Sequence, residues 1–445
     1  MKKEKKNFLY NVIYQLLLYI FPLITIPYIS RILGVENIGI YSYTYSIVYC
    51  FMLVAMLGIN NYGNRAISQV RDNKKELSKT FLSIYYLQLI LSLLMGTIYV
   101  IYILFFCKNY KIIFIIQLIN MISVFFDINW FFFGLEKFKI TINRNIIIKI
   151  CSIICIFFFV RETSDLWIYS FIMAGSVLVS QIYLMFHLKK YITYQKVTLK
   201  QMLSHLKGCL ILFIPVLAYG IYRVMDKTMI GAISSVVELG YYENAEKIIN
   251  IPISIITALG TVMLPHMSYL LKKADSEFKE KILDSMKLAL IISVTMACSL
   301  FLLADDAAVI LFGEEFLKSG IIMRILSVTI IISAWANVIR TQFLIPKNKD
   351  KIYVYSTLGG AIINVIFNLV FISKFGALGA CIGTILAELF VMLYQTIYTK
   401  NDLETKKYTL LLLEILLKGI IIIIIAYLIT FKINHLYWRF GFRIL

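Results

Sequence analysis

The sequence predicts an all-α polytopic membrane protein: two six-helix lobes, arranged as parallel repeats around a central cavity, with a thirteenth helix at the C-terminus. Thirteen long apolar stretches, from residues 8–30 to residues 408–431, occupy most of the 445 residues. Each reaches the roughly 20 residues an α-helix needs to cross a bilayer core. The polar joints between them are basic at every second joint, as the positive-inside rule requires. Hydrophobic residues make up 60% of the chain and only 6 prolines interrupt it, the composition of a multi-span bundle rather than of a globular domain. A membrane barrel would instead alternate polar and apolar residues in short strands.

The N-terminus carries Lys2, Lys3, Lys5 and Lys6, like the positive region of a signal peptide. The apolar run behind it is too long and has no small-residue cleavage site, so it is expected to stay as span one. Basic clusters follow at residues 65–79, 137–144, 189–207, 272–287, 347–351 and 400–407. All fall on the cytoplasmic side if the N-terminus is inside. The opposite joints carry single cations, Arg31 and Lys374, or the acids Asp305, Asp306, Glu314 and Glu315. The net charge of +19 is therefore mostly topological, and no nucleic-acid partner is expected. Residues 1–188 are assigned to an N-terminal six-helix lobe, 189–207 to a cytoplasmic linker and 208–400 to a C-terminal six-helix lobe. Residues 401–445 are an appended hydrophobic helix and tail, with Asn434 to Leu445 left outside beside Lys432, Arg439 and Arg443.

The two halves share a signature at their first joint. Span one leads through Ile32-Leu33-Gly34 to Gly39-Ile40-Tyr41, and span seven through Met229-Ile230-Gly231 to Gly240-Tyr241-Tyr242. Glycine permits tight turns there and tyrosine suits the headgroup boundary. Both joints face outward, so the halves are parallel repeats, an arrangement that often holds a substrate cavity between them.

Ionisable side chains inside spans cost about 2.5–3.5 kcal/mol each on insertion scales and so usually face a cavity or a partner. They concentrate in span seven, at Arg223, Asp226 and Lys227, and at Glu243, Glu246 and Lys247 opposite. Arg223 and Lys227, four apart, share a helix face. This is either a self-neutralising ion-pair cluster or the lining of a cavity that meets an anionic headgroup or couples an ion. Lys149, Glu388, and Glu414 with Lys418 lie within other spans; Asp127 sits beside Asn129 and Trp130; Arg324 and Arg340 are expected to snorkel. Five prolines, Pro22, Pro27, Pro215, Pro252 and Pro265, fall in spans one, seven and eight, where they bend helices. Seven cysteines and four histidines show no metal-ligand or disulfide spacing. No metal site, cofactor or catalytic residue is expected.

Asp226-Lys227-Thr228-Met229-Ile230-Gly231 and Gly240-Tyr241-Tyr242-Glu243-Asn244-Ala245-Glu246-Lys247-Ile248 resemble the Wzx-type polysaccharide flippases of the multidrug/oligosaccharidyl-lipid/polysaccharide exporter superfamily. Pro27-Tyr28-Ile29-Ser30-Arg31-Ile32-Leu33-Gly34 and Gly58-Ile59-Asn60-Asn61-Tyr62-Gly63-Asn64-Arg65 carry the resemblance in the first lobe, and it covers about residues 7 to 400. It implies two six-helix lobes around a central, often cationic cavity. It also implies a short oligosaccharide on undecaprenyl pyrophosphate as cargo, moved from the inner to the outer leaflet of the bacterial plasma membrane by alternating access. Arg223, Lys227, Lys247, Arg65 and Arg31 are the expected substrate-binding cations, since pyrophosphate and acidic sugars prefer a cavity with fixed positive charge. Lipid II flippases of the MurJ type place a sodium site on helices seven, eleven and twelve. The similar positions here are Asp226, Asn364 with Asn368, and Thr384, with Glu388 nearby. An asparagine replaces the second acid of that pattern, which lowers the charge of the site. Coupling to Na+ or H+ is expected there; the bland reading is a set of interhelical hydrogen bonds.

Expected partners are lipid-linked oligosaccharide, membrane lipids, and a polysaccharide polymerase with other assembly proteins. A drug exporter or lipid II flippase of the same superfamily is the alternative. A membrane-embedded polymerase or acyltransferase would need catalytic groups on a sizeable outer loop, and the longest outer joint, around residues 305–319, has neither histidine nor arginine.

Overall fold

A computed structural model describes the backbone of residues 2–271 and 275–430, and the side chains there except those of residues 2–23, 215, 218, 219, 221–223, 275 and 276. The described residues form helices joined by short turns, with no strand among them. Eleven of these helical stretches are long and apolar enough to cross a membrane, and the chain is a multi-pass membrane protein. The tail expected beyond Asn434 lies outside the described residues. The chain divides into two compact units, Met1–Val224 and Met225–Leu445.

The first unit begins with α1 (Lys2–Met56), which contains the expected first and second spans in one run. The joint between them is a kink rather than a loop: Gly34 alone departs from helical geometry, at φ 75° and ψ 175°, a region that favours glycine. Leu57 and Gly58 take left-handed backbone and end α1. Then follow α2 (Ile59–Val70), α3 (Lys74–Phe105), α4 (Lys111–Phe125), α5 (Asn129–Gly134), α6 (Phe138–Phe159), α7 (Leu166–Leu188), α8 (Leu199–Ser204) and α9 (Leu206–Met229). Residues of α9 up to Val224 belong to the first unit and those from Met225 to the second.

The Gly58–Arg65 motif packs unusually closely. A Cβ on Gly58 would lie 2.8 Å from the Cys209 carbonyl and from the Phe213 amide nitrogen, and one on Gly63 would lie 2.5 Å from the Trp130 ring. The Tyr62 hydroxyl meets His205 Nδ1 at 2.8 Å. These contacts pin α2 between α5 and the start of α9. The break between α4 and α5 is held by Gln88, whose amide donates to the carbonyls of Val124 (2.7 Å) and Asp127 (3.0 Å) and accepts from the Trp130 indole N–H (3.0 Å). Phe81, Trp130, Phe131 and Phe132 form the aromatic core around it.

The second unit contains α10 (Val236–Leu270), α11 (Asp275–Phe312), α12 (Leu317–Ile339), α13 (Asp350–Phe375), α14 (Ala377–Thr399) and α15 (Thr405–Thr430). Within it α12 packs against α10, α11 and α14, α13 pairs with α14, and α15 lies against α11. The Glu238 carboxylate accepts from the Ala377 N–H at the start of α14 and pairs with Lys318 on α12, so one side chain ties three helices together.

The structure departs from four expectations of the sequence. Gly240 is buried inside α10 rather than in a joint. Asp305 and Asp306 are not loop acids: α11 continues through them to Phe312, and a single turn at Glu314–Phe316 leads into α12. The helix tolerates Asp305 because its carboxylate pairs with Arg324 at 2.5 Å; Arg324 thus has a protein partner and does not simply snorkel. Arg144, grouped above with the cytoplasmic cations, is only 4% exposed because neutral oxygens from three segments surround it, as described below.

Two predictions follow from this packing. Gly58→Ala adds a Cβ both against backbone and at positive φ, and is expected to cost about 2–4 kcal/mol; thermal unfolding of the purified protein in detergent checks it, with Gly96→Ala, which meets open space, expected to be neutral. Burial pushes the His205 imidazole below its ordinary value. As pH falls through the unfolded value of about 6.5, the unfolded chain takes up this proton and the folded chain does not, so stability present above that pH is lost below it. The melting temperature is expected to drop between about pH 7.5 and 5.5, and His205→Gln to flatten that part of the drop.

Candidate functional site

At the end of α9, where a π-helical turn over Ile230–Ser234 leads toward α10, Asp226 is 5% exposed and surrounded by donors. Asn364 and Asn368, one turn apart on α13, donate their amide N–H groups to Asp226 Oδ1 at 2.9 and 2.5 Å. Tyr242 of α10 donates its hydroxyl to Oδ2 at 2.8 Å, and the Thr384 hydroxyl of α14 lies 2.7 Å from the same oxygen. Four groups from three helices therefore converge on one carboxylate. Hydrogen bonds to a charged acceptor are worth about 1.5–3 kcal/mol each, which offsets the desolvation that burial imposes. Asn368 Oδ1 is buried without a hydrogen-bond partner among the described residues, and it rests where a Cβ on residue 383 would otherwise sit, 2.2 Å away from it.

The structure thus brings together Asp226, Asn364, Asn368 and Thr384 and adds Tyr242, whose place in the sequence suggests only a headgroup-boundary aromatic. Glu388, one turn beyond Thr384 on α14, accepts instead from the Ser333 hydroxyl of α12 at 3.0 Å.

Beside Asp226, Lys227 lies 2.7 Å from both Glu243 and Glu246 of α10, and Lys247 lies 3.1 Å from Glu243. All four side chains are at most one-third exposed. Both lysines are thus already engaged with carboxylates. The Arg223 side chain lies outside the described residues. In the first unit Arg31 is exposed on α1 just before Gly34, and Arg65 is exposed on α2 with its guanidinium 5.8 Å from the Tyr62 ring. The intervening stretch of α1 spans about 33 Å, so these two cations do not meet in one site.

A second polar assembly lies wholly inside the first unit. Arg144 donates to the side-chain oxygens of Asn129 (3.0 Å) and Asn145 (2.6 Å) and to the Ser180 carbonyl (3.2 Å). Asn129 also donates to Asp127 Oδ1 (2.7 Å) and Gln181 Oε1 (3.1 Å). This network borders a cavity of about 570 Å³ that Asn60, Asn61, Asn64 and Lys149 also line. The sequence signal for it was present: three asparagines in five residues of α2, and Arg144-Asn145 followed by Lys149 in an otherwise apolar helix. Counting Arg144 with the cytoplasmic charges concealed it.

Removing Lys227 takes a shared cation from two carboxylates, of which Glu243 still has Lys247. Lys227→Ala is expected to cost about 3–5 kcal/mol, and the double variant Lys227→Ala/Glu246→Ala to recover part of that loss, because Glu243 keeps Lys247. A double-mutant cycle on thermal unfolding in detergent measures the coupling; strict additivity would mean that the described ion pairs do not act as a unit.

Comparison with known proteins gives the family of the chain. The profile of the family described as "Polysaccharide biosynthesis protein" matches residues 5–271. A curated relative from Shigella dysenteriae, named "Putative O-antigen transporter", is 24% identical over 404 residues, covering 88% of this chain and 98% of the relative. Among solved structures, the lipid II flippase MurJ in an inward closed conformation superposes with a TM-score of 0.69 at 18% identity, covering 95% of both chains. An inward-facing multidrug resistance MATE family transporter of the MOP superfamily gives 0.67 at 14% identity, covering 88% of this chain and 94% of that one. At these identities the two structures establish a shared fold. The family profile spans more than half of the sequence, and the chain belongs to the polysaccharide biosynthesis protein family.

Proposed function

We propose that this protein is a flippase that carries undecaprenyl-pyrophosphate-linked oligosaccharide units from the inner to the outer leaflet of the bacterial plasma membrane, for surface polysaccharide synthesis. The observation that carries the reading is the family membership, together with the match to nearly the whole length of the relative named "Putative O-antigen transporter". The N-terminus lies in the cytoplasm, as the basic joints require. The chain makes and breaks no covalent bond; a polysaccharide polymerase and other assembly proteins take the delivered unit. Transport proceeds by alternating access.

Asp226 supplies the coupling. As a carboxylate it gathers donors from α10, α13 and α14. Once protonated it becomes a donor itself, and at least one of the groups that converge on it must turn from donor to acceptor or let go. Its charge therefore decides how firmly the end of α9 is held to α13 and α14. The site also fits sodium: a single carboxylate with amide and hydroxyl oxygens is a hard donor set of low charge, and Asn368 Oδ1 is buried with its acceptor unused among described residues. Asp226, Asn364, Asn368 and Thr384 would hold the ion, which would neutralise the carboxylate as a proton does.

Deleting the gene is expected to trap the sugar-bearing lipid in the inner leaflet, scored as lost access to a lectin or glycosidase on the outer face. Wild type restores exposure. Asp226→Asn, which makes the site permanently neutral, is expected to abolish the dependence of exposure on a sodium or proton gradient. Unchanged gradient dependence would remove Asp226 from the coupling. Normal exposure without polymerisation in the deletion would move the protein to the polymerising step instead.

A further inference from the structure

Inside the first unit, α2 presents three amides to the 570 Å³ cavity: Asn60, Asn61 and Asn64. Asn60 and Asn64 are four residues apart and share a face of the helix. None of the three side chains hydrogen-bonds to a described residue, whereas nearby amides such as Gln88, Asn129 and Asn120 all hold their surroundings together. Asn60 and Asn61 are exposed and Asn64 is half-buried, so their amides are open to whatever fills the cavity. Their helix is nevertheless locked in position by the contacts of Gly58 with α9 and of Gly63 with Trp130, so the three amides are presented by a rigid support.

The opposite wall is equally fixed. Arg144 is buried and braced by oxygens of Asn129, Asn145 and Ser180, which orient the guanidinium. Lys149 adds a second cation against the one carboxylate, Asp127. Asn60, Asn61, Asp127 and Gln181 also border an adjoining pocket of about 360 Å³ whose other walls include Tyr49, Met52, Leu53 and Val216. The combined space is therefore polar on one side and apolar on the other.

That chemistry selects a ligand class. Each amide offers both a donor and an acceptor. A phosphate oxygen can use only the donor, but a sugar hydroxyl uses both, and a sugar ring also presents C–H groups to an apolar wall. We propose that this cavity within the first unit is a binding site for the sugar end of the lipid-linked cargo, with Asn60, Asn61 and Asn64 reading its hydroxyls. The charge balance of the wall admits an acidic sugar. This deepens the flippase reading and rests on it: it assigns sugar selectivity to α2, apart from the lysines near Asp226.

The test compares two lipids on the purified full-length protein in nanodiscs: the undecaprenyl-pyrophosphate-linked repeat unit extracted from the strain lacking this gene, and sugar-free undecaprenyl pyrophosphate. Wild type is expected to bind the sugar-bearing lipid more tightly. Asn60→Ala/Asn64→Ala is expected to weaken that binding about tenfold, the loss of two hydrogen bonds, and to leave the sugar-free lipid unaffected. Asn61→Ala, a single exposed change, repeats the comparison with a smaller loss and keeps the test intact if the double variant does not fold. Equal losses for both lipids, or none for either, overturn the assignment. Equal binding of both lipids by wild type overturns it too, whereas wild type binding neither overturns the flippase reading itself.

Discussion

A polar group inside a bilayer has no water to turn to, and the architecture of both units follows from how they meet that demand. Asp226 is the sharpest case. Its carboxylate would be prohibitively costly alone in an apolar surrounding, and it is held there by an amide pair on α13 and hydroxyls from α10 and α14. Because those donors come from helices far apart in sequence, satisfying one charge also fixes how the helices of the second unit meet. Glu238 acts likewise at the start of α14, and Arg144 in the first unit.

The same constraint separates two kinds of intramembrane charge. Lys227 and Lys247 are matched with Glu243 and Glu246 at close range, so cargo that approached them would compete with existing partners. Arg144 donates hydrogen bonds to neutral oxygens and borders a cavity whose wall also holds Asp127 and Lys149. A cation's value to an anionic or hydroxyl-rich cargo therefore depends on its neighbours more than on its presence in a span. The amides of α2 differ from the buried ones: Asn60 and Asn61 are exposed, Asn64 is half-buried, and all three face the cavity.

Much of this was legible in the chain itself. The apolar stretches and alternating basic joints mark a multi-pass helical membrane protein, and the Asp226–Gly231 and Gly58–Arg65 motifs point to the exporter superfamily whose fold the chain shares. The spacing of Asn364 and Asn368 marked one helical face. The acids at 305 and 306 misled, because a charge in sequence reads as a loop until its partner is known, and Arg324 is 18 residues or more away. Tyr242 was read as an interfacial aromatic for the same reason.

By itself the sequence determined that long apolar helices cross a membrane, because hydropathy is a local property summed over a helix length. Only the tertiary structure decided which polar groups are partnered and which are left to meet a ligand. Hydrogen bonds and ion pairs form over a few ångströms between helices that are remote in sequence. Whether Asn60 holds a neighbour or faces a cavity, and whether Arg144 is solvated or lies under three oxygens, is settled by packing, and no residue carries that information alone.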